Sequence, residues 1–365
     1  MISVSSGQEY QSQLEAERPA LSRRAFLQTS AVGASVGLVA GCSSGPSNDR
    51  GAGRIPDWSA EDIPVLRGRT VLVTGANGYP ENGRSGLGYH DALALARAGA
   101  DVTIASRNQT RGQEAVRRIR AEALHAAVRF ERLDLADLAS IRAFARQMRN
   151  THRSLDLLVN NAGVMGRLNR EVSVNGFERV FATNTLGHFV LTAELMPLLR
   201  KGHMSRIVWV SSLRAGSGVL RFDDLQLQKN YDYAAAYDQS KLANLLLAFE
   251  TERRSRRYGW GVTSVASHPG VARTNLIPNG PGLESPEGWR FQWLPIFQPA
   301  ATGALPTLYA GTAAGVLPGG YYGPKGIAEL RGPPGVAQVP AAARDSRLAQ
   351  RLWPLLERLG GTSFS

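Results

Sequence analysis

Arg69-Thr70-Val71-Leu72-Val73-Thr74-Gly75-Ala76-Asn77 is a short β-branched run that stops on a glycine turn. Ser85-Gly86-Leu87-Gly88 follows it and opens an alanine- and leucine-rich helical stretch over 88–98. A strand that passes through glycines into a helix is the first half of a β-α-β unit. Outward from it the alternation continues. Residues 101–106, 128–132, 155–160, 206–211 and 262–267 read as strands. Between and after them, 111–124, 138–149, 177–199, 237–257 and 300–313 read as helices. Strands alternating with helices imply an α/β protein, a doubly wound parallel sheet with helices on both faces. Ligands of such sheets bind beyond the carboxyl ends of the strands, near the point where strand order reverses.

The chain has 365 residues, 43% of them hydrophobic, enough for one large domain with a substantial core. Its net charge of +12 comes from arginines spread along presumed helix faces, such as Arg117, Arg118 and Arg120, or Arg253, Arg254, Arg256 and Arg257. No nucleic-acid motif accompanies them, so no nucleic-acid partner is expected. A basic surface still favours an anionic membrane or a phosphorylated cofactor. No metal site is expected.

A single cysteine, Cys42, excludes an intrachain disulfide. It ends a segment in which Arg23-Arg24 precedes an apolar run and then Val39-Ala40-Gly41-Cys42. Twin arginines before such a run resemble a bacterial twin-arginine export signal, and Val-Ala-Gly-Cys resembles a lipobox. The run is too short and glycine-rich to span a bilayer as a helix. The expected organisation is an export signal over 1–42 with lipidation at Cys42, then a tether over 43–67. A catalytic domain over 68–332 and a tail over 333–365 with one helix at 346–359 complete it. The expected location is the cell envelope, lipid-anchored after export, with a cytoplasmic or inner-membrane-associated protein as the alternative.

At this point the chain resembles the short-chain dehydrogenase/reductase superfamily over 68–332, and most of all its retinol dehydrogenase-like branch. The resemblance implies a Rossmann fold and a nicotinamide cofactor. Thr74, Gly75, Asn77, Gly86, Leu87 and Gly88 match the motif Thr-Gly-x-x-x-Gly-x-Gly. Gly75 and Gly86 nevertheless stand eleven apart, as if residues 78–84 had been inserted. Three placements of the extra residues are open: bulging outwards, covering the phosphates, or impairing binding. Arg107 follows the second strand where no carboxylate is placed for ribose hydroxyls, which favours NADP over NAD. Arg84 would add to it if the insertion folds back. Asp134, with Leu135, matches the adenine contact, and Asn161, Ala162 and Gly163 belong to an Asn-Asn-Ala-Gly that lines the cofactor channel. Pro269 and Gly270 match the segment passing the nicotinamide carboxamide, and Thr274 matches a diphosphate contact.

The same resemblance assigns the chemistry. Tyr237 and Lys241, four apart and so one turn apart on a helix, match Tyr-x-x-x-Lys. A neighbouring ammonium is expected to lower the phenol's pKa. Tyr237 would give or take the proton, Lys241 would also hold the nicotinamide ribose, and Ser212 (with Ser211 as the alternative) would orient the reacting oxygen. Asn184 would hold a relay water, while His188 beside it reads as structural. The aromatics Trp289, Phe291, Trp293 and Phe297 read equally as the wall of a lipophilic pocket or as packing. The implied substrate is a lipophilic alcohol or carbonyl compound, and the family is compatible with a homodimer or homotetramer. A second hypothesis is an exported nucleotide-binding protein with little or no turnover, its phosphate loop disabled by the insertion.

Overall fold

The computed structural model describes residues 55, 57–293 and 296–364. The export-signal segment and Cys42 lie outside the described residues. Eight strands form one sheet in the order β3-β2-β1-β4-β5-β6-β7-β8. They are β1 (Thr70–Thr74), β2 (Asp101–Ser106), β3 (Val128–Arg132), β4 (Leu157–Asn160), β5 (Arg206–Val210), β6 (Thr263–Ser267), β7 (Tyr321–Pro324) and β8 (Pro334–Val336). All neighbours run parallel except β8, which returns antiparallel on β7. The chain therefore builds outward from β1 through β2 to β3, then crosses back to place β4 on the other side of β1. That reversal opens the crevice at the carboxyl ends of β1 and β4.

The strands are short and buried on both faces, as a parallel sheet between helices requires. Alternation along β5 shows the two cores: Ile207 and Trp209 point into one, Val208 and Val210 into the other. Against the second core lie α1 (Leu87–Arg97) and α2 (Gln109–Glu122). The first core is filled by α3 (Leu138–Thr151), α4 (Gly187–Leu199) and α5 (Tyr233–Tyr258). Later come α6 (Pro286–Trp293) and α7 (Ala300–Thr312), the latter packed over α1. The last helix, α8 (Ser346–Gly360), lays Leu352, Trp353 and Leu356 onto α4 and α5.

Three local differences from the sequence reading have physical causes. The stretch read as one helix over 177–199 is broken into Arg179–Phe181, a π-helical turn Ala182–Leu186, and α4. The π turn is made where Gly187 presses against the carbonyl of Leu135, a close approach a side chain would block. Residues 57–67, read as tether, pack on the domain because Trp58 is buried edge-on against Tyr309, ring centroids 5.5 Å apart. The sheet also continues past Gly332 into β8. Among the described residues, no helix is long and apolar enough to cross a membrane.

Candidate active site

The turn after β1 is built for close backbone approach. Gly75 has φ +71°, a left-handed conformation, and a Cβ there would lie 2.8 Å from the Ala162 Cα. A side chain at Gly88 would collide with the Asn161 amide. Helix α1 begins at Gly86 with no side-chain cap and no acidic residue in its first turn. A bare helix N-terminus beside glycines suits a pyrophosphate, whose charge its N–H groups and dipole favour. The residues present therefore fit a dinucleotide.

The enlarged turn closes on itself. Gly86 N donates to the Gly78 carbonyl at 2.6 Å, and Glu81 and Arg84 exchange both backbone hydrogen bonds, 2.9 and 3.0 Å, across Asn82-Gly83. The excursion is thus Tyr79–Ser85, one residue later than the 78–84 expected, and Gly78 takes the third spacer position of the glycine motif. The small hairpin docks on α2. Tyr79 is buried between the guanidinium groups of Arg111 and Arg118, 4.5 and 4.1 Å from its ring centroid. Arg111 also pairs with Glu81 at 3.2 Å. The insertion thus packs on α2 and leaves Gly75, Gly86 and Gly88 in register.

The other cofactor candidates are distributed around the crevice. Thr74 is wholly buried, and its hydroxyl accepts from the backbone N–H of Asn161 and Ala162 at 3.0 and 2.9 Å. Asn161 donates from Nδ2 to the Thr74 carbonyl at 2.7 Å, which ties β1 to the end of β4. Asn77 is half-buried at the turn, and Arg107 is exposed just past β2. Asp134 is half-buried, its carboxylate accepting from Ala136 N at 3.0 Å, and Leu135 is in the core. Pro269, Gly270 and Thr274 follow β6. The Pro269 carbonyl accepts from Gln298 Nε2 at 2.8 Å, and Thr274 Oγ1 accepts from Leu276 N at 3.3 Å.

The four catalytic candidates converge. Tyr237 and Lys241 lie on α5, both buried. Ser212 caps the short helix Leu213–Ser217 after β5, and its hydroxyl lowers the pKa of the Tyr237 phenol beside it. Ser211 is turned away: it is buried and donates to the Lys241 carbonyl at 2.8 Å. Lys241 Nζ and Asn184 Oδ1 flank Gly163, where a Cβ would stand 3.4 and 3.7 Å from them. Asn184 clamps Val164, accepting from its N–H at 2.8 Å and donating to its carbonyl at 2.9 Å, and also reaches Ser240 Oγ at 3.0 Å.

Electrostatics differ from the simple expectation of a lysine that lowers the phenol. Burial pushes Tyr237 up to about 12, with Asp238 adding to the rise and the Ser212 hydroxyl and Arg214 opposing it. Burial brings Lys241 down to about 8. Its ammonium donates to the Val210 carbonyl at 3.0 Å and stands 5.5 Å from the phenol ring centroid. Desolvation disfavours both charged forms, and it is the largest cause of each shift.

Sequence reasoning missed the wall around the tyrosine. Met165, Val180, Leu227 and Ala236 pack with Tyr237 in one apolar cluster, joined by Tyr231, Tyr233, Leu276 and Ile277. These residues come from four segments, so no local signal groups them. Of the aromatic stretch, Phe291 is buried against Phe297, centroids 5.0 Å apart, with Arg273 beside both rings, and Trp289 is exposed, while the side chain of Trp293 lies outside the described residues. Two further links were also invisible. Asp238 holds Arg214 through two hydrogen bonds of 2.6 Å, and Tyr233 donates to Glu287 of α6 at 2.6 Å, joining the helix of Tyr237 to the segment above it.

A parallel sheet reversing beside a glycine turn, with serine, tyrosine and lysine gathered at its carboxyl edge, defines a nicotinamide-dependent oxidoreductase. The family model described as short chain dehydrogenase matches residues 69–279, and the chain belongs to that family. It is 40% identical to retinol dehydrogenase 13 of Mus musculus over 308 residues, 82% of this chain and 86% of that protein. It is 38% identical to the polyprenol dehydrogenase of Mus musculus over 311 residues, 84% of this chain and 88% of that protein. Among solved structures, an uncharacterized protein from Mycobacterium paratuberculosis superposes with a TM-score of 0.69 at 35% identity, covering 85% of this chain and all of that one.

Proposed function

We propose that this enzyme uses NADP(H) to interconvert a lipophilic alcohol and its carbonyl compound, with Tyr237 as acid/base. The observation that carries the reading is the convergence of Ser212, Tyr237, Lys241 and Asn184 beside the glycine turn. Gly75, Gly86, Gly88 and the start of α1 would hold the pyrophosphate, Arg107 a 2′-phosphate, and Lys241 the nicotinamide ribose. Thr74, Asn161 and Ala162 shape that floor, and Asp134, Pro269, Gly270 and Thr274 would border it. The bound nicotinamide supplies the hydride chemistry.

Ser212, beside the Tyr237 phenol, would orient the substrate oxygen. The phenol, held protonated by burial, donates its proton to that oxygen during reduction, and the phenolate takes the alcohol's proton during oxidation. Lys241 stabilises the phenolate formed on donation, and Asn184 keeps the strand end beside it in place. The apolar wall of Met165, Leu227, Leu276 and Ile277 supports a lipophilic substrate, as do relatives named for retinol and polyprenol, both apolar alcohols.

The Arg23-Arg24 pair and the Val-Ala-Gly-Cys ending at Cys42 support export by the twin-arginine route and a lipid anchor at the cell envelope. Export of a folded, loaded protein implies tight retention of NADP(H) or a partner that regenerates it. Tyr237→Phe tests the enzymatic reading. Retinal reduction with NADPH should fall about 10²-fold or more while NADPH still binds. Reduction persisting at the original rate would overturn it.

A further inference from the structure

We infer that His188 is a positioning residue that couples the glycine turn to Asn184, through a chain of hydrogen bonds running from Asn161 and Ala162 by way of Thr74. The imidazole is wholly buried in the first turn of α4. Its Nδ1 lies 3.0 Å from the Asn184 carbonyl oxygen, which can only accept, so Nδ1 carries the hydrogen. Burial lowers the ring to about 4, with the Lys241 charge acting in the same direction, so it is neutral at physiological pH. Nε2 is then a bare acceptor, and the Thr74 hydroxyl 2.9 Å away must donate to it. The Val159 carbonyl, 3.2 Å from that hydroxyl, is the longer alternative. With its one proton directed to His188, Thr74 Oγ1 uses its lone pairs for the backbone N–H groups of Asn161 and Ala162.

Every polar atom in this chain of contacts has a defined donor or acceptor role. At one end are the residues that pack against Gly75 and Gly88. At the other, Asn184 reaches Ser240 Oγ, which donates to the Tyr237 carbonyl at 2.7 Å. Asn184 itself sits in the π turn, a distortion that recurs at functional sites. A single imidazole thus fixes the distance between the turn that would carry the cofactor and the helix that carries the acid/base. The consequence for turnover rests on the function proposed above; the coupling itself does not.

Two variants cut the chain at different links. His188→Asn keeps a donor near the place of Nδ1 and loses the reach to Thr74. His188→Gln keeps an amide near the place of Nε2 and loses the grip on Asn184. NADPH affinity is read by fluorescence titration and kcat by retinal reduction. His188→Asn should raise the NADPH Kd about tenfold, the size of one buried hydrogen bond, with the smaller change in kcat. His188→Gln should do the reverse. Nitrogen-15 spectra of the wild-type protein should show a neutral His188 with hydrogen on Nδ1 at pH 6.

Equal losses in Kd and kcat for both variants, or changes under threefold in both, would overturn the coupling, as would hydrogen on Nε2. The spectral arm decides the matter if either variant fails to fold. Absence of retinal reduction in the wild-type protein would count against the proposed function and leave the Kd and tautomer arms standing.

Discussion

Asp91→Asn should stabilise this enzyme, and by an amount that grows with pH. Asp91 is wholly buried on α1, and both its carboxyl oxygens lack a hydrogen-bond partner among the described residues. Burial alone holds its pKa well above the ordinary value. In the folded protein the group therefore stays protonated to higher pH than in the unfolded chain, where it ionises near pH ~3.9. The sign follows: below that pH the burial costs no proton, and above it folding must take one up. Each further pH unit removes about 1.4 kcal/mol of stability, until the folded-state pKa is reached. Asparagine has nearly the same shape and is also neutral and unpartnered there, so the difference between the proteins isolates the titration. While the buried carboxyl stays protonated, the advantage of the variant should widen by about 1.4 kcal/mol per pH unit, or roughly 2 °C in Tm. Differential scanning calorimetry of both proteins at pH 5, 6 and 7 measures it, and the pH at which the curves become parallel locates the folded pKa. A Tm difference independent of pH would refute the reasoning, because the carboxyl would then be ionised or paired in the native state.

Deleting Tyr79–Ser85 and joining Gly78 to Gly86 should leave a folded protein whose NADPH Kd changes by less than about tenfold, since the hairpin closes at its base and docks on α2. A hundredfold loss by titration would mean that the hairpin touches the cofactor. The value of kcat/KM for NADPH should decline as pH rises past about 8, where buried Lys241 gives up its proton; a profile flat to pH 10 would exclude that ammonium from the chemistry. Tyr233→Phe removes a 2.6 Å bond to Glu287, so KM for retinal should rise about threefold or more with the smaller change in kcat. An unchanged KM would separate α6 from the substrate path.

Much of the fold was legible because periodicity and glycine placement are local. The run 69–74, its glycine turn and the repeated alternation were sufficient for a doubly wound sheet, and the structure has it. The insertion's extent was legible only to within a residue, since Gly78 and Gly83 both offer a place to close and the choice belongs to the Gly86–Gly78 hydrogen bond. Motif residues kept their order along the chain, yet the preference for Ser212 over Ser211 rested on family position. Tertiary packing supplies its physical reason by turning Ser211 towards the Lys241 carbonyl.

By itself the sequence determined the class of sheet and the position of the glycine turn, which follow from spacing along one chain. The tyrosine, lysine, serine and asparagine were named from it by resemblance to the family. Only the tertiary structure decided how strongly burial shifts Tyr237 and Lys241, which apolar side chains surround the phenol, and that His188 bridges Thr74 and Asn184. Desolvation and hydrogen bonding depend on what arrives from elsewhere in the chain, and residues 74 and 188 meet only because β1 and α4 pack on the same sheet.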